Sequence, residues 1–246
     1  MSTFCYVGKG EMYMGKIDNP LRFVGNVSEF KVTVSENSVG QKDWTSTGGG
    51  EKCALSRIDS VGGSVSLLEY SPENLAMALY GNSTSSSDGG AQNDTGEVVF
   101  GSLIETTHLV DLNQPYTVVG AASYTEEAGD FKMTTGGVRP LKGGNMVADE
   151  TVTITYVSPT NYGVIEPFTE SSTPYKIKFT GLNEAQSGRG VIIEVYKTLV
   201  LPTSEVSFIN DDFGSIVSNL KLLSDDTVVG TGLSKFMKIT MEFPST

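Results

Sequence analysis

Apolar and polar residues alternate with a period of two at several places along this chain. Phe30, Val32 and Val34 point one way while Glu29, Lys31 and Thr33 point the other. Val152, Ile154 and Tyr156 alternate with Thr151, Thr153 and Thr155. Tyr175, Ile177 and Phe179 alternate with Lys176 and Lys178, and Met237, Ile239, Met241 and Phe243 with Lys238, Thr240 and Glu242. Each pattern predicts a strand with one buried and one polar face, as antiparallel sheets require. Further strands are expected at Val61–Tyr70, Glu97–Ile104, Tyr116–Tyr124 and Val191–Val200, between turn-forming Gly, Asn, Asp and Pro residues.

One segment follows a helical period instead. In Ser71–Gly81, Ser71 is placed to cap free amides, Pro72 suits the first helical position and Glu73 complements the dipole. Leu75, Ala78 and Leu79 share a side that should pack on a sheet, and Gly81 is expected to take the left-handed conformation that ends the helix. Two stretches read as long excursions. Ser35–Lys52 holds Gly48-Gly49-Gly50 and the single tryptophan, Trp44; Gly81–Gly96 is almost devoid of apolar residues and reads as mobile. No internal repeat or linker divides the chain, so one domain, 1–246, is expected. Its class is mainly β: an antiparallel sandwich or half-barrel with one flanking helix.

Composition supports that class. Of 246 residues 38% are apolar and 28 are glycine, which favours a turn-rich β-protein with a core of its own. Seventeen basic against 29 acidic residues leave a net charge of −12, which repels nucleic acid and anionic lipid at long range. That excludes a DNA-gripping protein but not one that DNA must pass without sticking. Cys5 and Cys53 are too few for a disulfide framework and are expected as small buried hydrophobes. The amino terminus lacks the basic start and apolar core of a signal peptide, and no apolar run approaches the roughly 20 residues that span a bilayer. A soluble protein made in a cytoplasm, with no membrane partner, is the expectation.

Candidate chemistry is thin. His108 is the only histidine, so multi-histidine metal sites are excluded; it lies among Glu105, Thr106, Thr107 and Asp111, and no serine sits in a G-x-S-x-G turn. A packed or solvated histidine is the better reading, because a triad is defined by geometry. Gly8-Lys9-Gly10 and the Gly48 run lack phosphate-loop spacing and read as turns. Asp211-Asp212, Asp225-Asp226 and Glu126-Glu127 read as solvated turn residues, since adjacent strand residues point to opposite faces and calcium-loop spacing is missing. The Asn-x-Ser/Thr triplets at Asn26, Asn82 and Asn93 are silent without secretion. The expectation is no enzyme, no catalytic or metal residues and no cofactor.

The ordered wording of the chain adds a resemblance. Gly8-Lys9-Gly10-Glu11-Met12-Tyr13 followed by Gly25-Asn26-Val27-Ser28-Glu29-Phe30 resembles the opening of the major tail-tube proteins of long-tailed, siphophage-type bacteriophages. Pro72–Gly81 is similar to that family's single helix, and the likeness continues through Phe179–Ala185, Glu194–Lys197, Pro202 and Ile209–Gly214. The resemblance implies a structural virion protein of the tail, assembled in the bacterial host cytoplasm. Six subunits would form a ring, neighbouring strands would join into an inner barrel, and stacked rings would make a hollow tube that conducts DNA without binding it. Tape-measure, tail-terminator and tail-tip proteins would be its partners. Ser35–Lys52 would then be the loop that reaches the adjacent ring, with Gln41, Lys42, Asp43 and Trp44 at the contact and Trp44 as its anchor. Ser2–Met12 and the carboxy-terminal strand would also bridge subunits. The polar faces Glu29, Lys31, Thr33 and Thr151, Thr153, Thr155 are candidates to line the lumen. A related ring-former of a contractile tail or secretion tube shares these expectations; a surface-binding β-sandwich is a further alternative.

Overall fold

The computed structural model describes residues 5–45, 47–87 and 89–243, so parts of the expected segments Ser2–Met12, Ser35–Lys52 and Gly81–Gly96 lie outside the described residues. In chain order the elements are β1 Gly8–Lys16, β2 Arg22–Phe23, β3 Val27–Lys42, β4 Glu51–Leu67 and the helix α1 Pro72–Ala78. Then follow β5 Asn82–Ser86, β6 Gly90–Glu97, β7 Ile104–Glu105, β8 Thr117–Val119, β9 Ser123–Tyr124, β10 Phe131–Thr134, β11 Gly137–Pro140, β12 Thr151–Ser158 and β13 Tyr162–Glu166. The last are β14 Pro174–Asn183, β15 Arg189–Val200, β16 Ile216–Leu222 and β17 Met237–Met241. The fold is mainly β, with antiparallel sheets and a single short α-helix among the described residues, the class that the alternation predicts.

The chain forms two compact units: a frame, Met1–Ser83 with Ile165–Thr246, and an insert, Thr84–Val164. Strands β5 and β13 pair as a two-stranded ribbon that carries the chain out of the frame and back.

The frame is one curled sheet in the order β2-β1-β14-β15-β16-β4-β3. Strand β15 is long enough to serve two partners on one side, β17 at Val191–Val195 and β16 at Thr198–Val200. The two ends of the ladder, β2 and β3, are joined by only three residues, with Gly25 at φ +84° making the turn. So short a link holds the terminal strands close together and bends the sheet toward a barrel. Alternate residues fill its core: Met12 and Met14 from β1, Val65 and Leu67 from β4, Ile177 from β14, Val195 from β15, Ile216 and Leu220 from β16. Leu75, Met77 and Ala78 of α1 complete it.

The helix starts as predicted, with Ser71 Oγ accepting from the Asn74 N–H at 3.2 Å. Its end differs: Tyr80 (φ 50°) and not Gly81 takes the left-handed conformation, and the Gly81 N–H reaches back to the Ala76 carbonyl at 2.8 Å. Glycine is needed at 81 for space, because a Cβ there would lie 2.5 Å from the Glu166 carbonyl oxygen.

The insert has its own core, built from Val98, Ile104, Val118, Phe131, Val138, Val152, Ile154 and Tyr156. Strand β12 is central to one sheet, paired with β6 and β8, and buries Val152, Ile154 and Tyr156. The polar stretch Gly81–Gly96, expected as mobile, is largely strand: β6 pairs with β12 along its whole length, so a well-anchored partner supplies the register that its own residues lack. Two expected strands are broken. Glu97–Ile104 turns through 98–103, and Tyr116–Tyr124 splits into β8 and β9 around a turn at 120–122.

Candidate assembly surface

On the amino-terminal side of Val61, β4 lacks β16 as a neighbour and pairs only with β3. Residues 35–42 and 51–60 therefore form a two-stranded arm, and all of them are exposed. What reads from sequence as the excursion Ser35–Lys52 is mostly regular hairpin; only residues 43–50 join the strands. The sequence hides this because neither face of the arm has a core to bury against, so the usual alternation is absent. Eight residue pairs at ~3.3 Å per residue make an arm of about 25 Å. It carries apolar side chains into solvent: Val39 stands opposite Leu55, and both are exposed, as is Ile58.

At the tip, the Asp43 N–H donates to the Gly50 carbonyl at 2.7 Å, and Asp43 Oδ1 accepts from the backbone N–H and hydroxyl of Thr45. These bonds set the turn and leave Trp44 87% exposed rather than packed on its own loop. Gln41 and Lys42 are the last residues of β3, so the four predicted contact residues sit together at the arm's end.

Strand β3 has no partner on its outer side among the described residues, which leaves a row of backbone N–H and C=O groups open over a 16-residue strand. Its first residues face β1 across a groove of about 540 Å3 lined by Tyr6, Met12, Val27, Phe30, Phe179 and Ile193 among others. On the polar face of β3, Glu29 and Lys31 form an exposed ion pair at 2.8 Å, and Thr33 follows them. Thr151, Thr153 and Thr155 lie on β12 of the insert, where the Thr155 hydroxyl donates to Asn93 Oδ1 at 2.7 Å. Each triplet shares a face, but the two belong to separate sheets of separate units.

The sequence also missed an apolar display in the frame's loops. Ile209 is 96% exposed and Phe213 fully so, with Phe208 beside them. In β17, Ile239 is exposed and only Met237 packs on the core, so the predicted buried face of this strand is open. Cys5 and Cys53, expected in a core, are both exposed: one precedes β1 and the other sits on the arm. The signal for these sites is the company they keep, apolar residues within Asn-, Asp- and Gly-rich wording.

The region around His108 is a structural staple. The His108 N–H donates to the Tyr156 hydroxyl at 3.1 Å, and that hydroxyl donates to Asp94 Oδ2 at 2.8 Å. Asp94 also accepts from the backbone N–H and hydroxyl of Thr107, at 2.9 and 2.7 Å. Desolvation works to raise the Asp94 pKa, but the hydrogen bonds from Thr107 and Tyr156 outweigh it and hold the carboxyl below its ordinary value. Asp225 closes a turn through Thr227, and Asp226 pairs with Lys235 at 2.7 Å. No group of three or more His, Cys, Asp or Glu positioned for a metal ion occurs among the described residues, and no helix there is long and apolar enough to cross a membrane.

No curated protein matches the chain. A family model described as Protein of unknown function UCP028589 matches residues 5–240. With almost its whole length covered, this open-edged β-protein belongs to that family.

Proposed function

We propose that the chain is a structural subunit that assembles with copies of itself, as the wall protein of a phage tail tube. The observation that carries this reading is the unpaired outer edge of β3 running into a fully exposed arm. Open strand edges are templates for pairing, and apolar side chains such as Val39, Leu55, Ile58 and Trp44 gain by leaving water. Identical copies offer identical edges, so the same contact repeats from subunit to subunit. The resemblance of Gly8–Phe30, Pro72–Gly81 and Phe179–Gly214 to siphophage tail-tube proteins supplies the expected product: six-membered rings, stacked by their arms into a hollow conduit. The net charge of −12 suits such a conduit, since carboxylates repel passing phosphates within a Debye length of about 8–10 Å.

Negative-stain microscopy and light scattering of concentrated protein test the reading. Hollow filaments or six-fold rings are expected from the wild-type chain, and a doubly substituted arm, Val39→Asp with Leu55→Asp, should stay monomeric with an unchanged circular dichroism spectrum. A wild-type protein that remains monomeric at every concentration would refute self-assembly. Filaments of normal length from the double variant would remove the arm from the contact.

A further inference from the structure

We propose that a cavity of the frame walled by Arg22 is a carboxylate-binding pocket. It encloses about 230 Å3 between the end of β1, the Asn19-Pro20 turn, β2, α1 and the start of β14. Its floor is apolar, made by the buried side chains of Met14, Ala76 and Met77. Two cations line it, and they differ in one respect. Lys16 Nζ is held by Glu170 Oε2 at 2.8 Å. Arg22 is half-buried and makes no side-chain hydrogen bond or salt bridge among the described residues.

A partly desolvated guanidinium with five N–H donors and no acceptor is an unfavourable arrangement. Burial pulls the Arg22 pKa down, and the electrostatic influence of Glu73, then of Tyr175, only partly offsets that. The group that satisfies an arginine best is a planar carboxylate taking two parallel hydrogen bonds. The apolar floor selects a carboxylate on a short aliphatic stem over an inorganic anion, and Glu73 and Glu170, which also line the cavity, disfavour a dianion. Two sources share this chemistry: a small aliphatic acid, or an acidic side chain of a second copy. For the second, Asp211 and Asp212 lie between the exposed Ile209 and Phe213. The pocket stands apart from β3 and the arm, so it does not depend on the assembly reading.

The Arg22 Nε–Hε resonance of the full chain, followed by heteronuclear NMR at matched ionic strength, decides the matter. Titration with sodium butyrate should move it saturably with a Kd on the order of 1 mM. Affinity should rise about fourfold per methylene from acetate to butyrate. Arg22→Lys, which keeps the charge but loses the fork, should weaken binding about tenfold, judged by the neighbouring Met77 methyl signal. If the natural occupant is a second copy, the Arg22 signal will also move with protein concentration alone, and that movement will vanish in Asp211→Asn/Asp212→Asn. A resonance that responds neither to butyrate nor to protein concentration overturns the proposal. So does inorganic phosphate acting as readily as butyrate.

Discussion

The frame and the insert hold their strands by different means. The frame relies on length: β1, β3, β4, β14 and β15 run 9 to 17 residues, and one inner face of Met, Val, Leu and Ile is shared by the whole curled sheet. Its outer parts remain open: the outer edge of β3 has no partner among the described residues, and loop residues such as Ile209 and Phe213 stand in water. The insert has strands of at most eight residues and fastens its loops with carboxylates instead. Asp130 accepts from the N–H groups of Thr125 and Asn145 at 2.9 and 2.7 Å; Glu150 accepts from the Ala121 N–H and the Tyr124 hydroxyl; Glu126 accepts from the Met133 N–H and the Tyr116 hydroxyl. The Glu126 bond, with burial, pushes Tyr116 up to about 12. A small core leaves many loop amides unpaired, and ionised carboxylates satisfy them with strong, short bonds. The insert ties its loops down with its own carboxylates, while the frame carries the long strand β3, which has no partner on its outer side among the described residues.

The largest effect should come from cutting each core in turn. Ile177 and Ile154 are both fully buried, and Ile→Ala at such sites costs about 2–5 kcal/mol. Hydrogen exchange should show Ile177→Ala exposing frame amides and Ile154→Ala exposing insert amides; equal exposure of both units by either variant would merge them into one cooperative body.

Acid comes next. Backbone N–H groups of Asn145 and Thr125 hold Asp130 below the usual carboxylate range, and the Tyr124 hydroxyl and Ala121 N–H do the same for Glu150. With Asp94 they form a set whose folded pKa values are depressed. Such groups add stability that is fully present above their unfolded values near 4 and is lost as pH falls through the folded values. The frame's depressed pair, Asp225 and Asp226, pins only one surface turn. Between about pH 4 and pH 2, insert amides should therefore lose protection before frame amides. Simultaneous loss would show that the clamps do not set the insert's stability.

The smallest effect belongs to the frame's helix cap. Ser71→Ala should lower stability by about 1 kcal/mol in denaturant titration, with insert amides unaffected.

How much of this was legible in the sequence depended on burial. Val152, Ile154 and Tyr156 were readable because β12 has neighbours on both sides and one face wholly inside. The helix start was readable because Ser71 and Pro72 act locally. Its end was not, since Tyr80 adopts the left-handed turn and Gly81 answers to the Glu166 backbone, a contact from distant sequence. Strand β6 escaped notice because its inward positions include Gln92, Asp94 and Gly96, which report no alternation. The arm escaped because a hairpin in water has no inside. Trp44 stood out as a lone aromatic in polar wording, whereas Ile209 and Phe213 did not: an apolar residue in a sequence looks the same whether it enters a core or waits for a neighbour. Arg22 could not be singled out at all, because its isolation is visible only once Lys16 is seen to be taken by Glu170.

The insertion of one unit into the other also fixes an order of events during synthesis. Strand β1 must wait for β14, whose Asn183 pairs with Gly8, and β4 must wait for β16. Strands β6 to β12 of the insert pair only with one another. Contacts of short sequence separation form sooner, and a nascent chain emerges from its amino terminus. The ribosome thus delivers the middle of the protein ready to fold while the frame is still incomplete, and the curled sheet closes only after the final third of the chain appears.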